Sequence, residues 1–141
     1  MKSLSGVDAA FLHLETPETP MHVGSMAIFK PKEGYEGNFF EDFKKMIAGR
    51  LHFGPVLTSG LEKAPVDIDH PSWVEDEHVD INRHIFRASL PAPGNRHILE
   101  QTVGWIHAKL LNRARPLWEF YVFEGMENGE IGLYSKIHHA C

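Results

Sequence analysis

The sequence predicts an α/β domain, a mixed β-sheet flanked by helices. Three observations carry that expectation. Residues 38–51 and 95–111 hold apolar side chains at helical spacing, as helices with one face on a core do. Residues 20–29, 118–123 and 131–139 are either apolar throughout or alternate with period 2, the pattern of strands. The two kinds of segment interleave along the chain, which lays helices against a sheet and does not segregate them. A length of 141 residues fits one domain, able to bury about 68–70% of its unfolded surface.

Taken in order, Ser5 with Asp8 three residues later forms a variant capping box, and Val7, Ala10, Phe11 and Leu14 share a helical face. Thr16-Pro17 stops this short helix. Residues 20–29 then read as a largely buried strand that ends at Pro31 and a glycine-bearing loop. Asn38 caps the next helix, whose stripe is Phe39, Phe40, Phe43, Met46, Ile47 and Leu51. Glu41 and Lys45 make an i,i+4 pair on its wet side. From 52 to 71, Gly54-Pro55, Gly60, Pro65 and Pro71 predict irregular structure with one short strand. Trp73-Val74 and Ile85-Phe86 bracket an acidic run, Glu75-Asp76-Glu77, read as solvated loop. Pro91-Ala92-Pro93-Gly94 breaks the chain before the second long helix, with Leu99, Val103, Ile106 and Leu110 as its stripe. After the strand at 118–123, Asn128-Gly129 signals a tight hairpin, and the returning strand runs into His138-His139.

Composition narrows the classes of function. A net charge of −5 excludes a nucleic-acid partner, since phosphate binding needs a clustered basic surface; Lys44-Lys45 and Arg113/Arg115 read as solvated helix ends. The single cysteine, Cys141, allows no internal disulfide and fits a reducing, cytoplasmic compartment. The first residues show no apolar signal segment, and no apolar run approaches the ~20 residues of a membrane span.

Ten histidines invite a metal reading, which spacing argues against. Neighbours on a strand face opposite ways, so His138 and His139 do not converge on one ion. His97 and His107 stand about 15 Å apart on a helix at ~1.5 Å per residue. No metal is expected, and His13, His52, His70, His78, His84, His97 and His107 read as surface or supporting residues. On the last strand Ile131, Leu133, Ser135 and Ile137 share a face that His139 continues, while His138 takes the other. An imidazole at the mouth of an apolar layer can serve as a general base, and a histidine pair at a strand end can equally be structural.

Three short stretches bear on that choice: Pro20-Met21-His22-Val23-Gly24, Arg115-Pro116-Leu117-Trp118-Glu119 and Lys136-Ile137-His138-His139-Ala140. Together with residues 4–12, Trp73-Val74, Leu90-Pro91-Ala92-Pro93-Gly94 and Glu124-Gly125, in this order and at these separations, they resemble the bacterial wax ester synthase/acyl-CoA:diacylglycerol acyltransferase family. The resemblance runs essentially the whole length. It implies a chloramphenicol acetyltransferase-like, CoA-dependent acyltransferase fold made of two related halves, with residues 1–141 as the N-terminal part of the acyltransferase domain. The family signature is His-His-x-x-x-Asp-Gly, and the sequence ends inside it at His138-His139-Ala140-Cys141. A departure from the family lies at residues 53–60, where members carry a Pro-rich, basic segment; no substrate contact is assigned there.

What the resemblance implies is O-acyl transfer from acyl-CoA to a long-chain alcohol or diacylglycerol. His139 would be the general base, His138 its support, and transfer would be direct within a ternary complex. Acyl-CoA is then a co-substrate, and no cofactor is expected. Pro20, Met21, His22, Val23 and Gly24 either line the acceptor channel or are an ordinary buried strand. Arg115, Pro116, Leu117 and Trp118 read as structural support behind the hairpin. Cys141, at a variable position of the signature, offers a covalent acyl-enzyme as a minor alternative. The expected partners are the two lipid substrates, a peripheral membrane or lipid-droplet surface, and the missing C-terminal half, without which these 141 residues are expected to be inactive. Two rival readings stay open: a non-catalytic binding module of the same fold, and a condensation-type acyltransferase that takes a carrier-bound acyl donor.

Overall fold

The computed structural model describes residues 2–62, 72–75 and 79–141. In chain order these form β1 (Lys2–Ser3), α1 (Gly6–Leu14), β2 (His22–Phe29), α2 (Phe39–Ala48), α3 (Pro55–Thr58), β3 (Ser59–Glu62), β4 (Ser72–Glu75), β5 (Ile85–Ser89), α4 (Arg96–His107), β6 (Trp118–Glu124) and β7 (Ile131–His138), with short 3-10 turns between them. Pro65, Pro71, His70, His78 and the Asp76-Glu77 part of the acidic run lie outside the described residues.

The helix starts at Ser5 and Asn38 form as those cap residues predict, and Asn95 caps α4 in the same way. Ser5 Oγ accepts from the Asp8 amide (3.1 Å), Asn38 Oδ1 from Glu41 (3.1 Å) and Asn95 Oδ1 from Ile98 (3.0 Å), each satisfying an amide that has no partner within its helix. Helix α2 stops at Ala48, so Leu51 falls in the following turn, although it still packs beside the α2 stripe. The ion pair on α2 joins Glu41 to Lys44 at 3.8 Å, one residue earlier than the i,i+4 pair with Lys45.

The main sheet has the order β2-β7-β6-β5, with β5 parallel to β6 and the other pairs antiparallel, so it is mixed as expected. Strands β1, β4 and β3 form a second, small antiparallel sheet. Strand β2 was expected to be largely buried. It is instead the edge of the main sheet, with one face covered and the other open: Val23 is 50% and Phe29 45% exposed.

The main sheet is covered on both sides. Tyr134 of β7, Phe123 of β6 and Met26 of β2 meet Leu99, Val103 and Ile106 of α4 on one side. On the other, Val122 and Trp118 of β6 and Leu133 of β7 meet Phe40, Phe43 and Ile47 of α2. A third cluster joins Leu4, Ala9 and Leu12 near α1 to Leu111, Leu117 and Ala140 at the end of the sheet where β7 finishes.

Helix α4 ends at His107, four residues before the sequence pattern stops, and Leu110 lies outside the helix at 38% exposure. The reason is long-range. The Lys136 ammonium reaches the carbonyls of Ile106 (2.6 Å) and Lys109 (2.7 Å), and His22 Nε2 lies 2.5 Å from the His107 carbonyl. Side chains from β7 and β2 therefore close the last turn, and a cation there also suits the negative end of the helix dipole.

The β6–β7 connection spans residues 125–130, longer than the tight two-residue turn expected, with Asn128 (φ 62°) and Gly129 (φ 68°) both left-handed as their types favour. Onto it docks the break before α4. Gly94 has φ 65°, and a Cβ there would sit 2.0 Å from the Gly125 carbonyl oxygen. Gly94→Ala is expected to destabilise the full chain by about 1–3 kcal/mol from backbone strain alone, read as a lowered thermal midpoint with secondary structure retained.

Candidate active site

Strand β7 carries the histidine pair to one end of the main sheet. Its even-numbered side chains, Tyr134, Lys136 and His138, are 1–2% exposed, so the side facing α4 is the deeper one, and His138 belongs to it. Register pairs His138 with His22 of β2. The strand ends there. His139 begins the turn that follows, and its amide donates to the Met21 carbonyl (2.8 Å), which prolongs the ladder by one bond. The His139 side chain is exposed, and its ring stacks on Phe11 of α1 at 5.0 Å and 24°.

Beneath His139 the polar groups converge on Glu15, the C-cap residue of α1, whose side chain is 1% exposed. Its Oε2 accepts from the Met21 amide (2.8 Å), and its Oε1 accepts from Arg113 Nη2 (3.0 Å). Arg113 also donates to the Leu12 carbonyl (2.6 Å), closing the end of α1. His138 Nε2 lies 3.1 Å from Glu15 Oε2, within ion-pair range yet out of line for a hydrogen bond. The other ring nitrogen, Nδ1, accepts the Ala140 amide at 3.0 Å, which assigns the proton of neutral His138 to Nε2, facing the carboxylate.

Burial alone would raise the Glu15 pKa, but the Met21 amide, Arg113 and His138 outweigh it and hold the carboxyl below its usual value. Burial pushes the His138 pKa down and outweighs the attraction of Glu15, so the ring is neutral. Burial likewise lowers His22, whose Nδ1 has no hydrogen-bond partner among the described residues. The site thus has a buried carboxylate, Glu15, paired with an Arg113 guanidinium whose side chain is 43% exposed, a neutral oriented imidazole beside it, and a second imidazole next door in solvent.

The remaining residues singled out in the sequence surround this core. The half-buried Pro20 and Met21 lead into β2, where Met21 grips both Glu15 and His139 through its backbone. His22 is buried, while Val23 points to the open side. Gly24 is required by close approach: a Cβ there would lie 2.6 Å from Tyr134 Oη and 2.8 Å from His107 Nδ1. Pro116, Leu117 and Trp118 are buried, and Arg115 is half-buried. The Leu117 carbonyl accepts from the His138 amide (3.1 Å), and Trp118 Nε1 donates to the Leu57 carbonyl (2.9 Å). His84, read as a surface or supporting residue, is 2% exposed; its Nδ1 lies 2.8 Å from the Trp118 carbonyl and its ring stacks on the indole at 4.3 Å. Among the described residues no group of three or more His, Cys, Asp or Glu side chains is placed to hold a metal.

Sequence reasoning missed Glu15 and Arg113. The sequence pattern gives Glu15 no role, and Arg113 reads there as a solvated helix end. Their local signal is slight, since Glu15 merely stands between a helix and the Thr16-Pro17 stop; what holds its carboxylate in place includes a guanidinium 98 residues away.

This is the fold of the chloramphenicol acetyltransferase-like acyltransferases. The starter condensation domain of rhizomide synthetase RzmA superposes on 99% of the chain with a TM-score of 0.67 at 13% identity, a likeness of fold alone. The wax ester synthase/diacylglycerol acyltransferase from Marinobacter aquaeolei VT8 superposes on 99% of the chain with a TM-score of 0.86 at 32% identity. A Mycobacterium tuberculosis protein, named as a candidate diacylglycerol O-acyltransferase, is 42% identical over 140 residues. The wax ester synthase/diacylglycerol acyltransferase catalytic domain matches over residues 4–141, and the chain belongs to that family. It spans 30% of the length of the mycobacterial relative and 33% of the Marinobacter chain.

Two outcomes follow from the buried network. Glu15→Ala leaves the Met21 amide without its acceptor and removes the carboxylate beside Arg113 and His138, and should cost about 1–3 kcal/mol, with Glu15→Gln costing less; denaturant unfolding measures both. His138 and His22 have folded pKa values below 6.5, so between those values and 6.5 the unfolded chain binds more protons. Stability is therefore present above pH 6.5 and lost as pH falls through the folded values, about 1.4 kcal/mol per unit of separation. Melting curves across that range, flattened in His138→Asn, test it. Glu15, held below 4.5, adds its loss only further down.

Proposed function

We propose that the protein transfers a fatty acyl group from acyl-CoA to the hydroxyl of a long-chain alcohol or diacylglycerol, with His139 as general base. The observation that carries this reading is the contrast within the pair. His138 is buried, neutral and held, whereas His139 is open to solvent while its backbone and ring are fixed by Met21 and Phe11. A base that must meet a substrate hydroxyl needs that combination of access and fixed position.

In the proposed reaction the acceptor O–H gives its proton to the His139 imidazole as its oxygen bonds to the thioester carbonyl carbon. The carbon–sulfur bond then breaks, and CoA leaves as a thiolate that takes the proton back from the imidazolium. Atoms and charge balance within one ternary complex, so no side-chain nucleophile and no cofactor are needed. Cys141 is a poor candidate for one, because burial raises its thiol pKa to about 11. His138, its amide held by Leu117 and its ring by Ala140, fixes the turn that aims its neighbour. Acyl-CoA and the lipid acceptor are the proposed partners, met in the cytoplasm at a membrane or lipid-inclusion surface. Among the described residues no helix is long and apolar enough to cross a membrane.

His139→Ala in the full-length protein, second half included, should lower ester formation by about 10²–10⁴-fold, the usual contribution of a general base, with the fold intact by circular dichroism. Acyl-CoA and carrier-bound acyl donors are assayed side by side. Undiminished transfer by the variant would remove His139 from the mechanism, and transfer from the carrier alone would replace the proposed donor.

A further inference from the structure

Because β2 is an edge strand, the α2 side of the sheet is only partly covered. Helix α2 packs over β6 and β7 and leaves the odd-numbered residues of β2 bare: Val23, Ser25, Ala27 and Phe29 are all exposed. Register sets each of these beside an odd-numbered residue of β7, with Val23 opposite Ile137, Ser25 opposite Ser135, Ala27 opposite Leu133 and Phe29 opposite Ile131. Facing pairs on an antiparallel ladder lie on one surface. The result is a track without a charged group. Its polar atoms, the Ser25 and Ser135 hydroxyls, bond each other at 2.6 Å.

Both ends of the track are defined. At one end the ladder finishes at Met21 and His139, joined by a hydrogen bond. At the other, eight residue steps from Met21 to Phe29 or about 26 Å away at ~3.3 Å per residue, it enters a cleft of about 660 Å³ between β2, β7 and α2. Phe29, Pro31, Phe39, Phe43, Met46 and Leu133 line it. Tyr35 and Asp42 at its border hydrogen-bond each other, and Lys30 and Lys32 complete the lining. Phe29, Tyr35 and Met46, three of the large exposed apolar or aromatic side chains, gather at this one place. The volume falls within the ~300–1,000 Å³ of small-molecule sites.

We propose that this track and cleft bind the alkyl chain of the acceptor, its hydroxyl at His139 and its far end between β2 and α2. The inference rests on the function proposed above, because it is the acceptor oxygen that must touch the base, so the chain bonded to that oxygen starts where the track starts. An uncharged strip ending in a cleft lined chiefly by apolar side chains suits an unbranched hydrocarbon. Neither Ala27 nor Met46 belongs to the machinery around His139.

The test uses the full-length protein, second half included, with Ala27→Glu and Met46→Glu, both at exposed positions. Each should raise KM for hexadecanol about tenfold or more while leaving kcat and KM for butanol, too short to leave the His139 end, unchanged. A photoactivatable hexadecanol carrying a diazirine near its far end should label residues 27–46, in His139→Ala as well as in the parent. That labelling reads the track even if no acyl transfer is found, so failure of the acyltransferase reading and failure of this one are told apart. Label outside residues 27–46, no label, an equal change for both alcohols, or a change that follows acyl-CoA length instead would each overturn the proposal.

Discussion

A buried carboxylate is tolerable only where enough donors surround it, and Glu15 meets that condition by drawing four parts of the chain to one point. It caps the end of α1, accepts the amide of Met21 before β2, pairs with Arg113 ahead of β6, and faces His138 at the end of β7. None of these pieces is placed by its neighbours in sequence. Remove the acid and the Met21 amide loses its acceptor, while Arg113 and His138 lose the carboxylate beside them. The exposed His139 owes its position to this point twice, through Met21 on one side and through His138 on the other.

A second buried charge does similar work at the other layer. Lys136 is 1% exposed, and burial lowers its pKa, yet its ammonium finds two carbonyls at the end of α4. Two residues along the same side of β7, Tyr134 hydrogen-bonds His107 and presses on Gly24. Alternate residues of one strand therefore fix, in turn, the core under α4, the end of α4, and the network beneath the histidine pair. The strand acts as a ruler along which helix and site are set.

This arrangement explains what was legible in the sequence. Local chemistry was readable: Ser5, Asn38 and Asn95 start their helices, Asn128-Gly129 turns left-handed, and helices and strands interleave around a mixed sheet. The histidine pair was legible as a pair on opposite sides, and the family was legible from short stretches in order. What depended on distant partners was not. The early end of α4 is decided by Lys136 and His22, the edge position of β2 by the pairing order, and the deep side of β7 by where an ammonium can be satisfied rather than by where the aliphatic residues alternate. Glu15 belongs to the same class, since its meaning lies in Arg113.

The edge position of β2 has a consequence for handling the protein as well as for chemistry. Its outer backbone amides and carbonyls face away from β7, and from His22 to Phe29 the strand carries no carboxylate, no lysine or arginine and no proline; the first such residues, Lys30 and Pro31, come just after it. Those are the residues by which natural sheets discourage another chain from adding on. Among the described residues that edge therefore carries a row of backbone donors and acceptors with no strand beside it, together with none of the side chains that would keep a further strand from pairing there.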